Sequence, residues 1–451
     1  MTEWLRRLCL PAYLLLCLLL GGSVRSVWPN MVLQLLAVAL IAWTGAAHPA
    51  NPIAKPARML LGIACAALCL VVVQLVPLPP GLWTSLPGRE SLAVGFSVLG
   101  LHMPWLPLSL APYATLGSAL AILPPLGVTL AMLRQPQEGR WLVGAVIVGA
   151  FANVLLATVQ VASGGVSSAK PWYLYDISNN GAVGFFANSN HLGSLLLAGL
   201  AFAVALTAIA WSERRRGRAP MLLAGASALV AILAGLALNH SLAAVALAAP
   251  TLLLSALLFP AGWKLRRIAL PVAAIAAVAL VAVLTSSPIG AKLAGHDLSS
   301  FQSRSEMWAN TFDLVRRTFP VGTGLGSFPS VYPLIEDPAS VDLFYVNHAH
   351  NDYLEILLEG GLAGVVLVAA FLSWWAIVAV RAWRSRSGDQ LARAATIASG
   401  AMLAHSVVDY PLRTAALATV FALCLGLMLR APADRSSERP AVRPARHVKI
   451  A

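Results

Sequence analysis

Charge is what this sequence has least of. Only 11% of its 451 residues are Asp, Glu, Lys or Arg, against 59% apolar residues and a mean hydropathy of +0.77. A soluble domain carries about a quarter of its residues charged, so an ordinary water-soluble globular chain is excluded. Cysteine is sparse as well. Cys9, Cys17, Cys65, Cys69 and Cys424 all fall inside apolar runs, where a thiol is a small filler and neither a disulfide partner nor a zinc ligand. Acidic residues are outnumbered, 18 to 31. The most basic stretch, ERRRGR at 213–218, reads as a solvated loop touching anionic lipid, and no nucleic-acid partner is expected.

What the chain has instead is long apolar runs. A helix needs about 20 apolar residues to cross a hydrocarbon core of about 30 Å. Twelve such runs lie near 8–21, 31–47, 58–76, 112–133, 141–162, 190–211, 220–239, 241–260, 267–285, 361–380, 391–408 and 411–430. The expected fold is therefore all-α: a polytopic integral membrane protein of about 12 transmembrane helices. Arg6 and Arg7 ahead of the first run resemble a secretory signal, but no small-x-small cleavage site follows, so a retained helix is expected.

Cytoplasmic loops retain Lys and Arg. With both termini cytoplasmic, only eight of the 31 basic residues fall outside: Arg25, Arg89, Lys170, Lys292, Arg304, Arg316, Arg317 and Arg413. The basic balance is thus a topology signal. Three outer segments exceed mere turns, 77–111, 163–189 and 286–360. The first, rich in Pro and Trp, suits a semi-rigid belt at headgroup level. The expected organisation is 1–285 for spans one to nine, 286–360 for a large outer loop carrying the chemistry, 361–430 for spans ten to twelve, and 431–451 for a basic inner tail.

Polarity concentrates in the 286–360 loop. Ser303 precedes Glu306 in capping-box spacing and leads into Met307, Trp308, Phe312, Leu314 and Val315, which predicts a helix start near Ser303. Arg304 then stands in a first turn, where free amides and the helix dipole favour an anion. GTGLGSFPS follows Phe319-Pro320 as a turn or a loop able to approach phosphate closely. VNHAHNDYLEILLEGGLAG (346–364) then offers two histidines, His348 and His350, ahead of a helix capped by Asn351 or Asp352. Gly360-Gly361 should interrupt that helix, and Gly361 with Gly364 should give a smooth packing surface. Three readings of HAHND stay open on the residues alone: a zinc site by its His-x-His-x-Asp spacing, a structural histidine pair, and an acid/base or substrate-binding role.

These residues resemble the O-antigen ligase and polymerase superfamily of bacterial envelope proteins. The ligase signature is His, then Asn, Ser or Gln, nine residues, Gly, two residues, and Gly, Thr or Tyr; His350, Asn351, Gly361 and Gly364 meet it. SRSEMWANTFDLVRRTFPVGTGLGSF (303–328), HSVVDYPLR (405–413) and the twelve-span plan with a large periplasmic loop between the ninth and tenth spans accompany it. Members often carry a basic residue after the Ser that opens the eighth span; here Ser241 is followed by Leu242.

The resemblance implies transfer of a glycan from undecaprenyl diphosphate to an acceptor hydroxyl, lipid A-core or another glycan, on the periplasmic face of the bacterial inner membrane. In that chemistry His350 serves as general base, and Arg304 with Arg413 neutralises the leaving diphosphate. Asn351 and Asp352 orient His350 or cap its helix, while His348, Asn190, His191, His405 and Asp409 are further candidates for substrate contact. The donor is already activated, so no metal, nucleotide sugar or other cofactor is expected, and direct displacement inverts the anomeric centre. The competing classes are a transporter of lipid-linked sugars, which calls for polar groups at midplane, and a structural partner of an export complex.

Overall fold

The computed structural model describes residues 3–24, 27–47, 53–134, 138–164, 172–175, 182–212, 218–239, 241–259, 304–338, 346–385 and 389–430, with 271, 272, 274, 275 and 278. Among these residues the chain is mostly helical, with turns and loops between the helices and two two-residue strands, Pro77–Leu78 and Leu106–Pro107, paired antiparallel. Seven helices are long and apolar enough to cross a membrane. They are Trp28–Ala46, Lys55–Leu75, Pro112–Arg134, Gly139–Ala162, Ser189–Ser212, Ala219–Leu238 and Asp352–Arg384. Arg7–Leu20, Leu242–Ala256 and Ala415–Met428 are shorter apolar helices.

Helices thus stand where runs one to eight and ten to twelve were expected, although among the described residues only seven are long and apolar enough to span. The eleventh is the helix Gln390–His405, which carries Arg393 and closes on a histidine. The ninth run, 267–285, and the predicted cap Ser303 lie outside the described residues, apart from five scattered positions in that run. The fourth run breaks at Ile122 into Pro112–Ala121 and Leu123–Arg134, ahead of Pro124 and Pro125, because consecutive prolines remove backbone donors and bend the helix.

Helix starts follow local chemistry. Asn351 accepts from the Tyr353 and Leu354 amides, Asp389 from Leu391 and Ala392, Thr414 from Leu417 and Ser241 from Ala244, each side chain satisfying donors that a first turn leaves free. Proline opens Lys55–Leu75 and Pro112–Ala121, where its missing N–H costs nothing.

The helix Ser189–Ser212 forms the centre and is buried along most of its length. Gln390–His405, Arg218–Leu238 and Leu242–Ala256 pack around it, and Asp352–Arg384 lies against Lys55–Leu75. At 33 residues the Asp352–Arg384 helix would run about 50 Å if straight, well beyond a bilayer core. It bends at Gly361, whose φ of 55° and ψ of −146° only glycine adopts without strain, and where a Cβ would strike the Pro320 carbonyl. The turn before the bend belongs to a second, smaller core of Met307, Leu314, Val315, Phe328, Val331, Tyr332, Ala349 and Leu358.

The Gly-rich loop has a structural task. Thr323 N donates to Leu358 O at 3.0 Å and Gly324 N to Glu359 O at 2.9 Å, capping the carbonyls freed by the bend, while Phe328 N reaches Glu359 Oε1 at 3.1 Å. Gly322, at φ 83°, allows the approach: a Cβ there would stand 2.7 Å from the Glu359 carbonyl. The 77–111 segment is more than a belt, since it buttresses this loop. Leu110 N donates to Thr323 O at 2.8 Å, Thr115 to Leu325 O at 2.8 Å, and buried Arg89 bonds Leu108 O and Gly322 O. Burial pushes the Arg89 guanidinium down to about 10, with Glu90 opposing the shift.

Candidate functional site

The site gathers where three pieces of chain meet: the stretch 346–351 ahead of the Asp352 helix, the 304–318 helix, and the turn 405–413. Trp308 Nε1 donates to Ala349 O at 2.8 Å, which ties the 304–318 helix to the loop segment between His348 and His350. Arg304 stands four residues earlier and therefore on the same helix face, turned toward the histidines. Its charge is accordingly among those acting on His350 and His405.

His350 holds a left-handed backbone, φ 50°, a conformation that costs a residue with a Cβ about 1 kcal/mol or more and persists only where neighbours enforce it. Its Nδ1 lies 3.0 Å from its near neighbour's carbonyl, His348 O. A carbonyl only accepts, so the proton sits on Nδ1 and Nε2 carries the lone pair. The imidazole pKa lies below its ordinary 6.5; burial is the main cause, with Arg304 and His348 adding to it and Asp409 and the His348 carbonyl opposing.

Two charged networks flank His350. In the first, Arg413 faces three carboxylates: Nε to Asp352 Oδ1 at 2.9 Å, Nη1 to Glu355 Oε1 at 3.0 Å and to Glu359 Oε2 at 3.4 Å. Positions 352, 355 and 359 share one helix face, so a single guanidinium meets them all. Ser406 Oγ donates to Asp352 Oδ2 at 2.9 Å, His348 Nδ1 lies 2.8 Å from Glu355 Oε1, and Ala349 N donates to Glu355 Oε2 at 2.8 Å. Arg413, Asp352 and His348 are thereby engaged with protein partners, as is Asn351, whose side-chain oxygen caps the helix.

The second network centres on Asp409, fully buried. Asn190 Nδ2 donates to its Oδ2, and His191 Nε2 stands 3.5 Å from its Oδ1, at the outer limit of a hydrogen bond. Burial alone would raise this carboxyl; the His191 contact and the imidazoles of His350 and His405 hold it well below the usual carboxylate range. His405 Nδ1 lies 2.7 Å from Ser194 Oγ, while His405 Nε2 and His191 Nδ1 are buried without a hydrogen-bond partner. The structure therefore gathers Asn190, His191, His405 and Asp409 from two distant helices beside His350. Gly361 and Gly364 lie further along the Asp352 helix, at the bend and just past it.

Sequence reasoning did not single out Glu355, Glu359 or Tyr410. The carboxylates were signalled by their spacing with Asp352, and Tyr410 only by standing next to Asp409. Among the described residues no three His, Cys, Asp or Glu side chains are arranged to hold a metal ion. The Nδ1 atoms of His348 and His350 face Glu355 and a carbonyl respectively, and do not converge.

A family model described as O-antigen ligase matches residues 227–369, a segment that includes Arg304, Trp308, HAHND and the Gly361 bend. The chain matches no curated protein.

Proposed function

Because residues 227–369 match a family model described as O-antigen ligase, we propose that this multi-pass membrane protein transfers a glycan from undecaprenyl diphosphate to an acceptor hydroxyl on the periplasmic face of the inner membrane, lipid A-core being the acceptor. The observation that carries the reading is the Trp308–Ala349 bond, which puts the first turn of the 304–318 helix, and Arg304 with it, beside His350. A guanidinium suited to phosphate and a neutral imidazole with its lone pair on Nε2 are the two groups such a transfer asks for.

In this account the acceptor hydroxyl approaches His350 Nε2. As its oxygen attacks the anomeric carbon, the proton passes to Nε2, the bond to the diphosphate oxygen breaks, and the electron pair leaves with the diphosphate. Arg304 meets the charge that develops there. Attack opposite the leaving group inverts the centre. Arg413 shares its charge with three carboxylates, so it fixes the helix that carries HAHND and leaves Arg304 as the phosphate partner. Asn351 and Asp352 serve the same scaffold. No step requires a metal.

The topology we attach to this is twelve spans with both termini cytoplasmic, a periplasmic catalytic loop at 286–360 between the ninth and tenth spans, membrane segments at 1–285 and 361–430, and a basic cytoplasmic tail at 431–451. A transporter of lipid-linked sugars fits less well, because the buried charges collect at the helix ends next to the outer loop.

Gel analysis of envelope glycans from a deletion strain tests the acceptor. Long chains left on undecaprenyl diphosphate support a ligase; single-repeat products would move the assignment to a polymerase, and loss of glycan from a protein to a protein glycan transferase.

A further inference from the structure

Tyr410 is 5% exposed and touches three imidazoles from two sides of the site. Its ring centre lies 4.2 Å from that of His348, tilted by 38°. It lies 5.1 Å from His350 and 4.9 Å from His191, both near edge-on at 77° and 84°. Its own place is fixed: the Tyr410 amide donates to Asp409 Oδ1 at 2.7 Å, and Asn347 Nδ2 donates to its hydroxyl at 3.4 Å. We propose that Tyr410 is a positioning residue for glycan transfer, the plane against which His350 and its neighbouring imidazoles are set. This rests on the assignment of His350 as base.

The physical need comes from His350 itself. A left-handed, non-glycine backbone stays put only when side-chain contacts restrain it. The Nδ1 bond to the His348 carbonyl fixes one edge of the ring but still permits rotation about that bond. Tyr410, packed edge-on, removes this freedom, and its contact with His348 holds the carbonyl-bearing residue as well. Edge-to-face ring contacts are directional, so an aliphatic side chain of similar bulk would fill the space without setting the angle. The hydroxyl is not the working part: burial first, and Asp409 second, push the phenol well above its ordinary value of 10.0, so it exchanges no proton with His350.

The ring also helps exclude water. The groups facing His350 are Asp409 from the 405–413 turn, Arg304 from the 304–318 helix and His348 from its own strand of chain. Desolvation is the largest effect on the imidazole; Arg304 and His348 lower it further and Asp409 opposes. Opening the site at Tyr410 weakens that largest effect, and the pKa must move back up.

The test compares Tyr410→Phe, Tyr410→Leu and His350→Ala in the full chain, expressed at matched levels in permeabilised membranes of a deletion strain. These membranes supply their own lipid-linked glycan and acceptor as the probe. Tyr410→Phe should keep transfer within about twofold and leave the acid limb of the rate unmoved. Tyr410→Leu should lose about 10- to 100-fold in the rate of transfer, the scale of a misplaced catalytic group, with the acid limb shifted to higher pH. Should Tyr410→Leu fail to accumulate, Tyr410→Met replaces it. A wild-type rate and acid limb in the aliphatic variant, with His350→Ala inactive, would overturn the positioning role alone. Full transfer by His350→Ala would overturn the base assignment and this inference with it.

Discussion

Arg413 Nε donates to Asp352 Oδ1 at 2.9 Å, and this bond joins the turn after Gln390–His405 to the helix that carries HAHND. Asp352, Glu355 and Glu359 are all buried around that one guanidinium, whose side chain is itself 19% exposed. Removing one partner from a buried ionic cluster leaves uncompensated charge, at a cost of about 3–5 kcal/mol. Arg413→Met should therefore lower the unfolding temperature of the detergent-purified protein by many degrees and reduce its membrane level. A variant as stable as wild type yet defective only in donor binding would instead place Arg413 at the diphosphate.

Arg304 makes the opposite forecast. It stands in the first turn of the 304–318 helix beside the histidines, so Arg304→Ala should leave thermal stability unchanged and raise KM for the lipid donor. Losing one charge-assisted phosphate contact costs about 1.5–3 kcal/mol, roughly ten- to a hundredfold. Arg304→Lys should retain part of the affinity, since it keeps the charge without the fork. Unchanged kinetics in the alanine variant would take Arg304 out of the site.

Burial holds the His350 imidazole below its ordinary 6.5. A base works only unprotonated, so transfer should be full at neutral pH and fall as pH drops through a value under 6.5. A limb at or above 6.5, in the pH dependence of kcat/KM, would not come from His350 as the structure holds it.

His348 offers the contrast with a zinc site. Its Nδ1 is taken by Glu355 at 2.8 Å, so His348→Ala should cost less activity than His350→Ala, and EDTA should leave transfer intact. Chelator-sensitive activity restored by zinc would reverse this.

Much of the fold was legible because it rests on local chemistry. Asn351 does cap the helix after HAHND, and Gly361 does break it, since capping and glycine conformations are decided within a few residues. The fourth run does form one span, Pro112–Arg134, and only its interruption at Ile122 was hidden, because hydropathy averages over Pro124 and Pro125. The Gly-rich 322–326 loop was left between turn and phosphate cradle; its amides in fact serve Leu358, Glu359 and the Glu359 carboxylate, partners about 35 residues away that no local pattern announces. The same limit hid the carboxylates that Arg413 faces. Three carboxylates on one face of the 352–359 turn signalled a cation, but which cation meets them is a matter of tertiary packing. Tyr410 was signalled only by its neighbour Asp409, because the histidines it touches, His348 and His350 before the Asp352 helix and His191 on the Ser189–Ser212 helix, meet it only through tertiary packing.

Charge placement in the sequence carries the proposed orientation. Reporter fusions near residues 215, 265, 385 and 440 should score as cytoplasmic, and those near 95, 175 and 325 as periplasmic. A cytoplasmic 325 would put the site on the wrong side of the membrane.

The most direct test of the account is transfer by His350→Ala, measured with lipid-linked donor against the same amount of inserted wild-type protein. Loss of a positioned base costs about 10²- to 10⁴-fold, so the variant should bind donor normally, unfold at the wild-type temperature, and transfer at no more than a hundredth of the wild-type rate. Wild-type transfer by His350→Ala would contradict the mechanism and leave HAHND as a cap on the helix it precedes.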